Sequence, residues 1–190
     1  SISRSSSRIG SSPVPEIVLG TMKLGKRVLP NILAAARQKG VTGVDTAPTY
    51  NNETDIGMVL SSKSFVIAKV PKRAVEPDQV RKEFATSRKK LGRVDLLLLH
   101  WPCDVIENGS LGPVWKTMED LVAQEKCRFL GVANFTVDAL RTLLPLCKIK
   151  PVVNQVERHP LLPQWELLWF CASQDIQLRI WGIFQVSRGR

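Results

Sequence analysis

Asp95-Leu96-Leu97-Leu98-Leu99-His100-Trp101-Pro102 is the stretch on which the fold turns. Four consecutive leucines with no polar interruption read as a strand covered on both faces, because a strand with one wet face would alternate. The run stops on a histidine, and Pro102 soon after cannot donate to a sheet ladder. An apolar strand that closes on one polar or aromatic side chain is a pattern repeated along the chain. Working outward, strands are expected over residues 16–20, 42–45, 65–69, 95–100, 129–134, 152–156 and 176–181, most of them rich in Val, Leu and Ile.

Amphipathic stretches fill the intervals and predict helices over 31–38, 53–60, 77–91, 114–125, 137–146 and 164–173. Gly40 and Gly92 stand where a helix C-terminus favours glycine. Pro77 stands in a first turn and Thr136 in an N-cap position. Strand and helix alternating at this spacing indicate right-handed βαβ units and a parallel sheet. Both a doubly wound sheet and a (β/α)8 barrel fit that rhythm. Gly20-Thr21-Met22-Lys23-Leu24-Gly25, after the first strand, is no G-x-G-x-x-G, and no P-loop is present, which favours the barrel.

In such a barrel the active site is built at the C-terminal ends of the strands. Asp45, Lys69, His100, Asn134, Gln155 and Trp181 each close, or nearly close, a different expected strand. Taken singly, each has a bland reading as a cap, a strand-end charge or a satisfied core group. Six in the same topological position predict convergence on one mouth.

Bulk properties narrow the alternatives. The 190 residues suit one domain, and 44% hydrophobic with 23% charged residues is ordinary for a globular one. No apolar run approaches the roughly 20 residues of a membrane helix, so no membrane role is expected. The formal charge is +10, from 27 Lys+Arg against 17 Asp+Glu. Its densest cluster (Arg81, Lys82, Arg88, Lys89, Lys90) lies on one expected helix, read as a solvated face, and no nucleic-acid partner is expected. Cys103, Cys127, Cys147 and Cys171 are far apart, without C-x-x-C, so the expectation is no metal and four reduced thiols in the cytoplasm. Residues 1–13 are Ser- and Arg-rich and acid-free. They read as a disordered leader, with an organelle-targeting remnant as the second reading, ahead of one domain over 14–190.

Several motifs in order resemble the aldo-keto reductase family from about Val18 to Trp181. Gly40-Val41-Thr42-Gly43-Val44-Asp45-Thr46-Ala47 with Glu53 and Ile56-Gly57 is similar to the family's first signature, departing at Val41-Thr42, where an aromatic–Arg pair is usual. Leu98-Leu99-His100-Trp101-Pro102 resembles its LLHWP, Gly131-Val132-Ala133-Asn134-Phe135 its GVSNF, and Pro151-Val152-Val153-Asn154-Gln155-Val156-Glu157 its PVVNQVE. The resemblance implies reduction of an aldehyde or ketone of a small molecule to an alcohol with NADPH. It assigns the catalytic tetrad to Asp45, Tyr50, Lys69 and His100. Tyr50 would be the proton donor, with Lys69 as the nearby cation that favours its phenolate. Asp45 would hold Lys69, and His100 would orient the substrate oxygen. By the same resemblance Gly20, Thr21, Asp45, Asn134, Gln155 and Trp181 contact cofactor, while Tyr50, His100 and Trp101 contact substrate. Ala133 replaces a common Ser, Met22 a usual Trp, and Trp181 a common stacking Tyr. Pro48 and Thr49 are loop positions beside the substrate, and His159 reads as structural. Trp115 reads as packing sooner than as cleft lining.

Seven strands are legible where a complete barrel has eight. The expectation is an incomplete (β/α)8 barrel of aldo-keto reductase type, lacking the last β/α unit and the segment that grips the adenosine 2′-phosphate. Weak NADPH binding and association through open barrel edges follow from that expectation; a complete barrel would be a monomer. Two competing functions remain at this stage: a catalytically inactive truncated chain, and a non-catalytic binding module on the same fold, as in potassium-channel β subunits.

Overall fold

The computed structural model describes residues 15–183, together with the backbone at 8–9 and 12–13. Its frame is a seven-stranded sheet: β3 (Val18–Gly20), β4 (Gly43–Asp45), β5 (Phe65–Val70), β6 (Leu96–Leu99), β7 (Phe129–Ala133), β8 (Val153–Glu157) and β9 (Gln177–Trp181). They pair in sequence order, each parallel to the next. A doubly wound sheet would reverse direction part-way along that order. Strict succession means every crossover runs the same way, which curls the sheet as in a (β/α)8 barrel, and the described residues supply seven of its eight strands. Of the expected leader, residues 1–7, 10 and 11 lie outside the described residues. Arg8–Ile9 (β1) and Ser12–Pro13 (β2) form a short antiparallel ribbon.

Period-two alternation divides the apolar side chains into two cores. Phe65 and Ile67 of β5, Leu96 and Leu98 of β6, Ala133 and Val153 meet inside the barrel. Val44, Val66, Ala68, Leu97, Leu99, Leu130, Val132 and Val156 face outward and pack under the helices. The strands are therefore covered on both sides, which is why they read as unbroken apolar runs. Gly131 lies on the inner face, where an added Cβ would come within 2.6 Å of both Leu98 and Val153. Its missing side chain lets these neighbours close the interior.

The helices are α1 (Leu29–Gln38), α2 (Glu53–Val59), α3 (Pro77–Leu91), α4 (Cys103–Glu107), α5 (Leu111–Ala123), α6 (Val137–Leu143) and α7 (Trp165–Ser173). Thr136 caps α6 by accepting from the Ala139 N–H at 3.2 Å. Gly40 and Gly92 follow α1 and α3 with φ of +80° and +78°. Trp115 is fully buried on α5, its indole N–H donating to the Ile149 carbonyl at 3.1 Å, so it packs and does not line the mouth. The single turn of α4 after Pro102 is too short to show a periodic signal in the sequence. Among the described residues no helix is long and apolar enough to cross a membrane.

Candidate active site

The inner face decides where the strand-end residues point. On β5 the side chains of Phe65, Ile67 and Lys69 alternate inward, and on β6 Leu96 and Leu98 lead to His100. Gln155 follows Val153 inward on β8, and Trp181 takes the same face of β9. The registers Lys69↔Leu98 and Ala133↔Gln155 keep these ends level. Asn134 follows Ala133 with φ +62°, a left-handed turn that asparagine tolerates better than most residues. Its N–H donates to the Gln155 carbonyl at 3.0 Å, and its Nδ2 donates to the His100 carbonyl at 3.0 Å.

Asp45 and Lys69 form a buried ion pair through Oδ1 and Nζ, with side chains 10% and 1% exposed. Lys69 also donates to the Thr46 carbonyl at 3.2 Å, and Gln155 Nε2 donates to Asp45 Oδ2 at 2.9 Å. Both carboxylate oxygens are thereby held, one by a cation and one by an amide. The Lys69 ammonium lies 5.1 Å from the centroid of the Tyr50 ring. That ring meets the His100 imidazole edge-on at 6.2 Å between centroids, and Trp101 stacks on His100 from another side at 6.1 Å. The structure thus brings all four tetrad residues together, with Trp101 beside them and 41% exposed.

The Tyr50 loop is set by a residue the sequence reading passed over. Pro48–Tyr50 form a 3-10 turn, ended by Asn51 in the left-handed region. Behind it, Asn52 is 4% exposed; its Nδ2 donates to the Thr21 carbonyl at 2.8 Å and its Oδ1 accepts from the Thr46 hydroxyl at 3.1 Å. That one amide stitches the loop after β3 to the loop after β4. Thr21 is likewise fully buried, its hydroxyl donating to the Asp45 carbonyl at 2.8 Å. The resemblance implies a cofactor contact for Thr21; its side chain lies in the wall, where the hydroxyl holds the Asp45 carbonyl. Gly20 faces open space, with nothing within 4 Å of where a Cβ would stand.

Arg179 was also missed, although an arginine inside the apolar run of β9 was a visible signal. It points into the barrel, and its guanidinium donates to the Pro15 carbonyl at 3.0 Å, tying β9 to the approach to β3. Burial pushes its pKa down, with the negative charge of Asp45 acting the other way.

His100 titrates far from a free imidazole. Burial, and then the Lys69 charge, lower its pKa from 6.5 to about 4, against a smaller opposing effect of Asp45. Its Nδ1 is buried without a hydrogen-bond partner among the described residues. A neutral ring keeps one N–H to donate. Proton NMR titration is expected to show the His100 imidazole midpoint near 4, assigned with His100→Gln; a midpoint near 6.5 would refute the buried placement. The unfolded chain binds that proton at higher pH than the folded one. The stability from burying the neutral ring is therefore complete above 6.5 and is lost as pH falls towards 4. Burial pushes the Cys127 and Cys147 thiols up to about 12, which leaves them unreactive.

The model of the Aldo/keto reductase family matches residues 16–187. The chain belongs to the aldo/keto reductase family. Among curated relatives it is 35% identical over 179 residues to the glyoxal reductase of Bacillus subtilis, covering 89% of this chain and 63% of that protein. It is 32% identical to the glycerol 2-dehydrogenase (NADP(+)) of Hypocrea jecorina, across 72% of this chain and 54% of that enzyme. Among solved structures, an aldo-keto reductase from a Medee basin deep-sea metagenome library superposes with a TM-score of 0.84 at 32% identity, covering 90% of this chain and 65% of that one. The Bombyx mori aldo-keto reductase in complex with NADP gives 0.83 at 27% identity, over 94% and 66% of the two chains. The chain therefore spans about three-fifths of the length of the reductases it matches. As a member of that family it carries the fold through the seventh strand of the barrel.

Proposed function

We propose that this chain reduces an aldehyde or ketone group of a small molecule to the alcohol, with NADPH as hydride source. The single observation that carries the reading is the placement of Tyr50 between the Lys69 ammonium, 5.1 Å from its ring, and the His100 imidazole. Reduction of a carbonyl needs a hydride on carbon, a proton on oxygen and relief of the charge that develops between them. When bound, NADPH supplies the hydride. Tyr50 gives its phenolic proton to the carbonyl oxygen. Lys69, held in place by Asp45 and the Thr46 carbonyl, offsets the charge left on the phenolate. His100, neutral above about pH 4, donates one N–H to the same oxygen and fixes its direction. Trp101, stacked on His100, walls the substrate side.

The residues at the mouth fit a nicotinamide. Trp181 offers an aromatic face at the end of β9, which suits stacking. Asn134 and Gln155 each have one amide nitrogen engaged, leaving Oδ1 and Oε1 to accept from a carboxamide NH2. Gly20, at the end of β3, has open space where a Cβ would stand. Titration of NADPH by quenching of its fluorescence is expected to saturate, with a weaker dissociation constant in Trp181→Leu. Absence of saturation at millimolar NADPH would sink the reading.

A further inference from the structure

On the outside of the barrel α3 and α5 lie side by side, α3 against β5 and α5 against β7. Both strands have a neighbour on each edge, so the setting of this helix pair is complete among the described residues. Each helix runs back along the sheet, which puts the ends near Gly92 and Ala123 away from the mouth. On α3, Arg81, Ala85, Arg88 and Gly92 recur at helical spacing and share one face. Thr117, Leu121 and Gln124 do the same on α5. Ala85 and Gly92 carry little or no side chain, and a groove of about 600 Å³ stays open between the helices. Phe84 and Leu121 are its buried floor.

The rim of the groove is basic. Arg81, Arg88 and Lys89 line it from α3, and Lys126 from the turn after α5, against one carboxylate, Asp120. Arg81 is paired with Asp78 at 2.8 Å, and Asp120 is engaged by Lys116. Arg88, Lys89 and Lys126 are exposed, with no ion-pair partner among the described residues. A cation near a helix C-terminus is ordinary, because it complements the last carbonyls. That accounts for each charge singly. It does not account for their convergence on a space that no side chain of α3 or α5 fills.

We propose that this groove binds the phosphate chain of a small ligand carrying two or more linked phosphates. A concave site between low-dielectric walls concentrates the field of its cations on one small volume. A lone carboxylate or sulfate answers one or two of those cations. A phosphate chain presents several charges in a row, with oxygens that suit the fork of arginine and the point charge of lysine. Single-stranded nucleic acid fits less well, because the one aromatic side chain in the groove, Phe84, is buried and offers no face for a base. The inference does not depend on the proposed reaction.

Isothermal titration calorimetry of the 190-residue chain with inorganic tripolyphosphate tests it. Saturable binding at one site is expected, weakening as salt is added. Arg88→Glu/Lys126→Glu should lower the affinity about tenfold or more, with an unchanged circular dichroism spectrum. Ala85→Trp, which fills the groove and keeps every charge, should lower it as well. No saturation at millimolar tripolyphosphate overturns the inference. Full affinity in either variant does so too, because the anion then sits elsewhere on a basic protein. Sulfate bound as tightly as tripolyphosphate also overturns it, since linked phosphates are then not required. ATP as a second titrant separates the sources: tighter binding than tripolyphosphate assigns the groove to a nucleotide, and equal or weaker binding to a free phosphate chain. If the charge-reversed variant does not fold, Ala85→Trp decides alone.

Discussion

Lys69→Met is expected to destabilise the protein by about 3–5 kcal/mol, a large share of the roughly 5–15 kcal/mol that a domain has in total. The size follows from burial. The Lys69 side chain is 1% and that of Asp45 10% exposed. Removing the ammonium leaves a carboxylate in the barrel interior with one amide, Gln155 Nε2, as its remaining side-chain donor. The cost is that of a buried charge stripped of its bonded cation and offset only in part by the Arg179 charge, and it exceeds what a surface pair contributes, about 0–1 kcal/mol. Adding Asp45→Asn to Lys69→Met should recover part of the loss, because the orphaned charge goes with it. Urea denaturation followed by tryptophan fluorescence measures both. A loss below about 1 kcal/mol for Lys69→Met would show that the pair is solvated and the mouth open to water at that depth.

Tyr50→Phe is expected to cut the rate of carbonyl reduction by about 10²–10⁴-fold while leaving NADPH affinity nearly unchanged. The phenol is the acid nearest both Lys69 and His100, and phenylalanine keeps its ring contacts with them while deleting the proton. Asp45, Lys69 and His100 keep their geometry in the variant, since none of the recorded hydrogen bonds holding them uses the Tyr50 hydroxyl. A loss of cofactor binding alongside activity would indicate a collapsed loop, and Asn52 is the residue whose bonds would have to fail for that. Initial rates at fixed high NADPH, set beside fluorescence titrations of both proteins, separate the two outcomes.

Much of the barrel was legible because its strands are covered on both faces. Leu96–Leu99 and Phe65–Val70 contain no interior polar residue except Lys69, and that exception turned out to be the inward cation of the site. Strand-end position alone located Asp45, Lys69, His100, Gln155 and Trp181, because alternation sends each of them inward at the same end. Asn52 and Thr21 were illegible in the role they have. Their hydrogen bonds to backbone carbonyls cross 24 to 31 residues of sequence, and a polar side chain that serves a distant backbone leaves no local periodic trace. Trp115 had two readings open until packing put it in the helix layer. For Arg179 the signal was present, a cation within an apolar strand, but its partner is the carbonyl of Pro15, 164 residues away.

The central claim is that Tyr50, Lys69, Asp45 and His100 form a working carbonyl-reduction site in this chain. Transfer of deuterium from NADPH labelled at nicotinamide C4 tests it most directly, with a small aldehyde as acceptor and saturating cofactor. The label is predicted on the alcohol carbon with the wild-type chain, and Tyr50→Phe should reduce its appearance by about 10²–10⁴-fold. Unlabelled alcohol, no alcohol at saturating NADPH, or equal labelling by both proteins would contradict it.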